Sequence, residues 1–180
     1  VICQAWLGPR YQVTSQVNVV NPGGAAQGPH RHYHLRFVPD EHLAQYPAHL
    51  HRASPVLTLQ GAVAHCDMPV DSGPTMLLPY SQRFAGGYIA FNRPEFVEFF
   101  ADHHVQLPLS KGDAVFFNPA LYHGAGSNVS SDIRRIGNLV QARHRTRLSR
   151  CENLSPSRFR YLMTHGISRQ RYLRIFLNYC

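Results

Sequence analysis

The segment GPHRHYHLRF, Gly28 to Phe37, sets His30, His32 and His34 at alternate positions. Residues at i, i+2 and i+4 project from one face of an extended strand. Three imidazoles on one face, just after a Pro-Gly-Gly turn, offer neutral nitrogen donors to a divalent metal. The rival meaning is a polar strand edge that is merely rich in histidine. A metal site also needs a ligand from elsewhere, and GDAVFFNPALYHGAGSN supplies His123 after a strand and a proline-containing loop. Eleven residues further on, Arg134 heads the strand-like RRIGNLVQ, where a guanidinium suits a dicarboxylate.

The elements that must carry these residues are short strands. YQVTSQVNVV, Tyr11 to Val20, alternates, is rich in β-branched residues and stops at NPGG. PVLTLQGAVAHCDM, Pro55 to Met68, alternates long enough for a buried strand, and TMLLP, GDAVFF and RIGNLVQ follow as shorter ones. PEFVEFFADHH, Pro94 to His104, predicts one helix with proline in its first turn and Phe96, Val97, Phe99 and Phe100 as apolar positions. Many short strands between Gly/Pro turns predict a mainly β fold, a sandwich or barrel such as a jelly roll. No internal repeat is present.

Charge divides the chain. Nine basic and nine acidic residues cancel between 1 and 141, and nine arginines against Glu152 place the whole excess of +8 in residues 142–180. The reading is therefore a body, 1–141, and an Arg-rich tail, 142–180. Within the tail SRQRYLRIFLNY suits a short amphipathic helix with Tyr172, Ile175, Phe176 and Tyr179 on one face. A weakly structured basic end, a phosphate-binding patch and a segment foreign to the domain all stay open. Without a recognisable module, nucleic acid is not the expected partner. The chain starts at Val1, as a piece of a longer protein would. No apolar run has membrane-span length and no signal peptide is visible. Cys3, Cys66, Cys151 and Cys180 form no CxxC pair and read as free thiols of a reducing compartment, the cytoplasm.

Four stretches in order, VNVVNPGG with QGPHRHYHL, DSGPTMLLPYSQR, KGDAVFFNPALYHGAGSN and DIRRIGNLVQ, resemble the phytanoyl-CoA dioxygenase family of iron(II)- and 2-oxoglutarate-dependent oxygenases. The resemblance covers roughly residues 1 to 141. It implies a double-stranded β-helix, Fe(II) and 2-oxoglutarate as cofactors with ascorbate as assay reductant, and O2 and a small organic molecule as substrates. It makes His30 the first metal ligand, His123 the distal one and Arg134 the holder of the far carboxylate of 2-oxoglutarate. Asn18 is a second cosubstrate contact. Gly73 and Pro74 form a structural turn. The family's helical N-terminal part is missing.

One departure bears on activity. The family pattern is His-x-Asp, and His32 stands where the aspartate belongs. His30, His32 and His123 then form an all-nitrogen face, with one negative charge fewer. That weakens the hold on a hard divalent ion, and Asp67 is the residue expected to compensate in part. A catalytically impaired relative and a three-histidine cupin-like metal protein are the alternatives to an active oxygenase. A rival metal pair is His65-x-Asp67, which keeps a carboxylate. His34 is expected in the pocket wall. His42, His49 and His51 fall in a polar, lid-like loop. His103 and His104 end the helix, where histidine suits the C-terminal dipole. No GxSxG elbow, P-loop or GxGxxG competes. Substrate identity is not written in these motifs.

Overall fold

The computed structural model describes residues 1–32, 39–144 and the backbone of Leu173–Phe176. Among the described residues eight strands make two sheets: β1 Tyr11–Val20, β2 Thr58–Ala64, β3 Thr75–Leu77, β4 Val105–Gln106, β5 Ala114–Phe117, β6 His123–Ala125, β7 Arg135–His144 and β8 Leu173–Phe176. The larger sheet runs β1-β7-β2-β5-β8 and the smaller β4-β3-β6. All pairings are antiparallel except β5 with β8. The fold is mainly antiparallel β with few helices, a jelly roll, as the turn-punctuated sequence predicts.

Strand β7 organises the larger sheet. It pairs with β1 from Tyr11↔His144 to Val20↔Arg135, and on its other side with β2 from Thr58↔Arg143 to Ala64↔Gly137. The open end of the β1–β7 pair is closed by Asn128, 1% exposed, whose Nδ2 donates to the carbonyls of Val20 (3.0 Å) and Ile133 (2.7 Å). A buried amide must find partners, and these two pin the strand ends together.

Apolar burial holds the layers. Leu7, Leu59, Phe116 and Ala142 form one cluster, covered by Trp6 and Ile2 of the helix Ile2–Leu7. Trp6 Nε1 donates to Thr58 O at 3.0 Å, so the amphipathic indole is anchored at its polar end. Leu77, Phe117 and Leu121 pack together behind the site. The helix Pro94–His103 has Pro94 at its first position and packs Phe96 and Phe100 against Leu78 and Tyr122, while Val97 and Phe99 are exposed.

Several expectations need correction. Pro55–Leu57 is not strand: it belongs to the helical turn Ala53–Leu57, and β2 begins at Thr58. Proline lacks the N–H that a ladder requires and is tolerated in a first helical turn. The lid-like region holding His42, His49 and His51 is not loop but short helices, Asp40–Leu43 and Ala48–His51. In the tail, Leu173–Phe176 is strand, not helix, and pairs with Ala114–Phe117. An otherwise open edge of β5 offers backbone partners that local helical periodicity does not reveal. The rest of that predicted helix lies outside the described residues. Strand β7 continues to His144, three residues past the charge boundary at 141. Cys3 and Cys66 are free thiols, and the other two cysteines lie outside the described residues. No helix among the described residues is long and apolar enough to cross a membrane.

Leu59 is 1% exposed in the cluster with Leu7, Phe116 and Ala142. Leu59→Ala is expected to cost about 2–5 kcal/mol of unfolding free energy, measured by urea titration at unchanged slope.

Candidate metal centre

The site is built on a backbone pair. His30 N donates to His123 O at 2.9 Å and His123 N donates to His30 O at 3.0 Å. Two residues that exchange both bonds in an antiparallel pair carry their side chains on the same face. Two residues on, His32 N donates to Pro119 O at 3.1 Å, which keeps His32 on that face. His123 also opens β6, opposite Leu77 of β3. The ring centroids lie 4.5 Å apart for His30–His123, and 5.2 Å for both His30–His32 and His32–His123. One donor atom from each of the three lies within 4.8 Å of the others, and no other such group of His, Cys, Asp or Glu occurs among the described residues.

Hydrogen bonds orient the rings. His30 Nδ1 donates to Gly28 O at 3.1 Å and His123 Nδ1 to Leu121 O at 2.7 Å. A carbonyl can only accept, so in the neutral ring the proton sits on Nδ1 and the lone pair on Nε2. His123 is 5% exposed. Burial, and then the neighbouring His30, hold its pKa well below the usual 6.5, against the raising effect of the Leu121 carbonyl. It is therefore a neutral imidazole at neutral pH. His32 Nδ1 meets Gln141 Nε2 of β7 at 3.0 Å.

The triad opens on a cavity of about 440 Å³ walled by β1, β2 and β7. Arg135, Gly137 and Gln141 line it from β7, and Asn18 from β1. Arg135 is 6% exposed, and its Nη1 donates to Ser72 O and Gly126 O, both at 3.2 Å. Burial lowers its pKa, but arginine retains its charge. Arg134, the position marked by the family spacing, is exposed and outside the cavity wall. Strand alternation turns successive residues to opposite faces, so this one-residue register places Arg135 inside. Asn18 stands opposite Gly137, over which the end of the Met68 side chain lies.

The rival His65-x-Asp67 pair is not assembled. Both residues are exposed, neither lines the cavity, and Asp67 Oδ1 accepts from Lys111 N at 2.7 Å. Asp67 therefore does not compensate for the missing aspartate. His34 lies outside the described residues. His103 and His104 are caps as expected, with Nδ1 donating to Phe99 O at 2.9 Å and Phe100 O at 3.0 Å.

Arg31 is the residue that sequence reasoning missed. The alternation that turns His30 and His32 to the cavity turns Arg31 away from it, into a 4% exposed position. Its guanidinium carbon lies 4.4 Å from the Tyr122 ring centroid and 5.3 Å from that of Tyr88. Nη1 donates to Phe84 O at 3.0 Å and Nη2 to Ser81 O, while Nε has no partner among the described residues. Burial lowers its pKa. The segment bearing His30 and His32 is thus gripped from behind. The signal was a cation between two histidines at alternate positions, whose side chain faces the other way.

Residues 1–136 match the phytanoyl-CoA dioxygenase family. The chain belongs to this family. Solved structures of similar fold include EvdMO1, with a TM-score of 0.56 at 17% identity, covering 81% of this chain and 30% of that one. A nickel complex of the non-heme monooxygenase ThoJ gives 0.52 at 13%, covering 79% and 48%. The non-heme alpha-ketoglutarate-dependent epimerase SnoN from nogalamycin biosynthesis gives 0.50 at 18%, covering 86% and 63%. At such identities the likeness is one of fold. This chain spans 30–63% of the length of those structures. No curated protein matches the sequence.

Gly124 follows His123, and a Cβ there would stand 2.7 Å from Gln27 O. Gly124→Ala is expected to push residues 27–30 off β6 and cost about 1–3 kcal/mol. Gly28→Ala, with open space around its Cβ and no positive φ, is expected within about 1 kcal/mol of the parent. Thermal unfolding of the two variants side by side checks the contrast.

Proposed function

We propose that this domain is an iron(II)- and 2-oxoglutarate-dependent oxygenase acting on a small organic molecule, with His30, His32 and His123 as the metal ligands. The carrying observation is one cavity with a triangle of imidazoles at one wall and a buried arginine at another. Three neutral nitrogen donors suit a divalent first-row metal and leave positions for further ligands. A buried guanidinium suits a carboxylate, so Arg135 takes the role that the family spacing marks for Arg134, with Asn18 as a second contact. Both groups fit.

When bound, iron and 2-oxoglutarate supply O2 activation: one oxygen atom goes to succinate with loss of CO2, and the other to the substrate's C–H bond. The residues of the chain do the rest. His30 and His123 present Nε2 lone pairs because their Nδ1 protons are tied to backbone carbonyls. Arg135 fixes one end of the dicarboxylate, and its own bonds to Ser72 and Gly126 fix Arg135. Replacing aspartate by His32 removes one negative charge from the ligand set, so iron is held less tightly than in a His-x-Asp site.

The test is succinate formation from 2-oxoglutarate with Fe(II) and ascorbate. The chain is expected to turn over, and His32→Asp to raise Fe(II) affinity by about ten-fold, 1.4 kcal/mol. Arg135→Leu is expected to raise KM for 2-oxoglutarate by more than about ten-fold, as loss of a buried charge partner does, while Arg134→Leu leaves it near the parent value. Turnover only in His32→Asp would mark this chain as an impaired relative. Metal binding without any use of 2-oxoglutarate would favour a three-histidine cupin-like site instead.

A further inference from the structure

His30 and His123 solve the tautomer problem in the same way. Each Nδ1 donates to the backbone carbonyl two residues earlier, Gly28 O and Leu121 O. For His32 the equivalent acceptor is His30 O, and that carbonyl already accepts from His123 N in the pair that builds the site. What His32 Nδ1 meets instead is a side chain.

Gln141 is that side chain. It stands on β7 opposite Gln60 of β2 and Thr14 of β1, lines the same cavity, and has its terminal amide 3.0 Å from His32 Nδ1. With its NH2 on Nδ1, the neutral ring carries its proton on Nε2 and has no lone pair there. A half-turn of the amide exchanges NH2 for the carbonyl oxygen with almost no change of shape, and the two forms are told apart by their hydrogen bonds. We propose that Gln141 is the positioning residue for His32, its Oε1 accepting the Nδ1 proton and so leaving the Nε2 lone pair for the metal. All three imidazoles then share one arrangement, Nδ1–H on an amide carbonyl and Nε2 as donor atom. The role rests on the metal reading of the triad and assigns to Gln141 what the chain needs because histidine stands where the family has aspartate. An aspartate ligand needs no tautomer.

Two measurements on the full chain test it. The first is 15N NMR of the metal-free protein at about pH 8, above the ordinary imidazole range. His32 is expected as the Nδ1–H tautomer, and in Gln141→Leu as a mixture of tautomers. An Nε2–H ring in the parent would overturn the proposal whether or not metal binds. The second is Co(II) affinity by chelator competition, with the ligand-field spectrum as readout. Loss of an outer hydrogen-bond partner of a metal-bound histidine costs about 10–100-fold, and that loss is expected for Gln141→Leu. Gln141→Glu, whose carboxylate accepts the same proton, should restore binding. In a His32→Ala background Gln141→Leu should add nothing. An equal loss in that background would overturn the proposal alone. A parent that binds no Co(II) would overturn the metal reading, with the tautomer result still deciding the part played by Gln141.

Discussion

The site depends on a single exchange of two backbone hydrogen bonds between His30 and His123. These residues are 93 positions apart in the chain, and only the fold makes them neighbours. The exchange does three things at once. It puts both rings on one face, brings their centroids to 4.5 Å, and occupies one lone pair of the His30 carbonyl, the acceptor two residues before His32. Everything around it maintains this pair. Gly124 leaves room for the Gln27 carbonyl, β3 holds β6 from the far side, and Phe117 packs 4.9 Å from the His123 ring.

The extended segment that carries His30 and His32 has two faces with opposite chemistry. One presents imidazoles to a cavity. The other buries the Arg31 cation between two tyrosine rings and two loop carbonyls. Burying a charge is costly unless hydrogen bonds and ring faces replace water. Here that replacement ties the segment of His30 and His32 to Ser81, Phe84 and Tyr88 and to Tyr122, one residue before His123. Arg135 is a second buried cation, also bonded to carbonyls, but its wall faces the cavity. The difference in surroundings separates a structural arginine from one available to an anion.

Histidine at position 32 alters the demands on its neighbours. A carboxylate ligand carries charge and has equivalent oxygens. An imidazole carries neither advantage, and its two nitrogens must be told apart by a partner. Gln141 stands within reach of His32, on β7 between β1 and β2 rather than on the segment that bears the histidines. Under the proposed metal reading, histidine at position 32 is thus read together with a side chain 109 positions away.

Much was legible in the sequence because it is local. The i, i+2 spacing of His30 and His32 determined a shared face. Alternation determined β1, and Gly/Pro turns determined a chain of short strands. Proline at a first turn determined the helix at Pro94, and the order of four motifs determined the family. The remainder rested on contacts between distant segments. Whether Arg134 or Arg135 enters the cavity is a one-residue question of register, set by the pairing of β7 with β1 and β2. Whether His65 and Asp67 join His123 depends on which face of the sheet they leave. Leu173–Phe176 became a strand because an edge of β5 was there to pair with it. Spacing along a chain determines which face a residue shares with its near neighbours; only pairing across the sheets decides which distant residue it meets there.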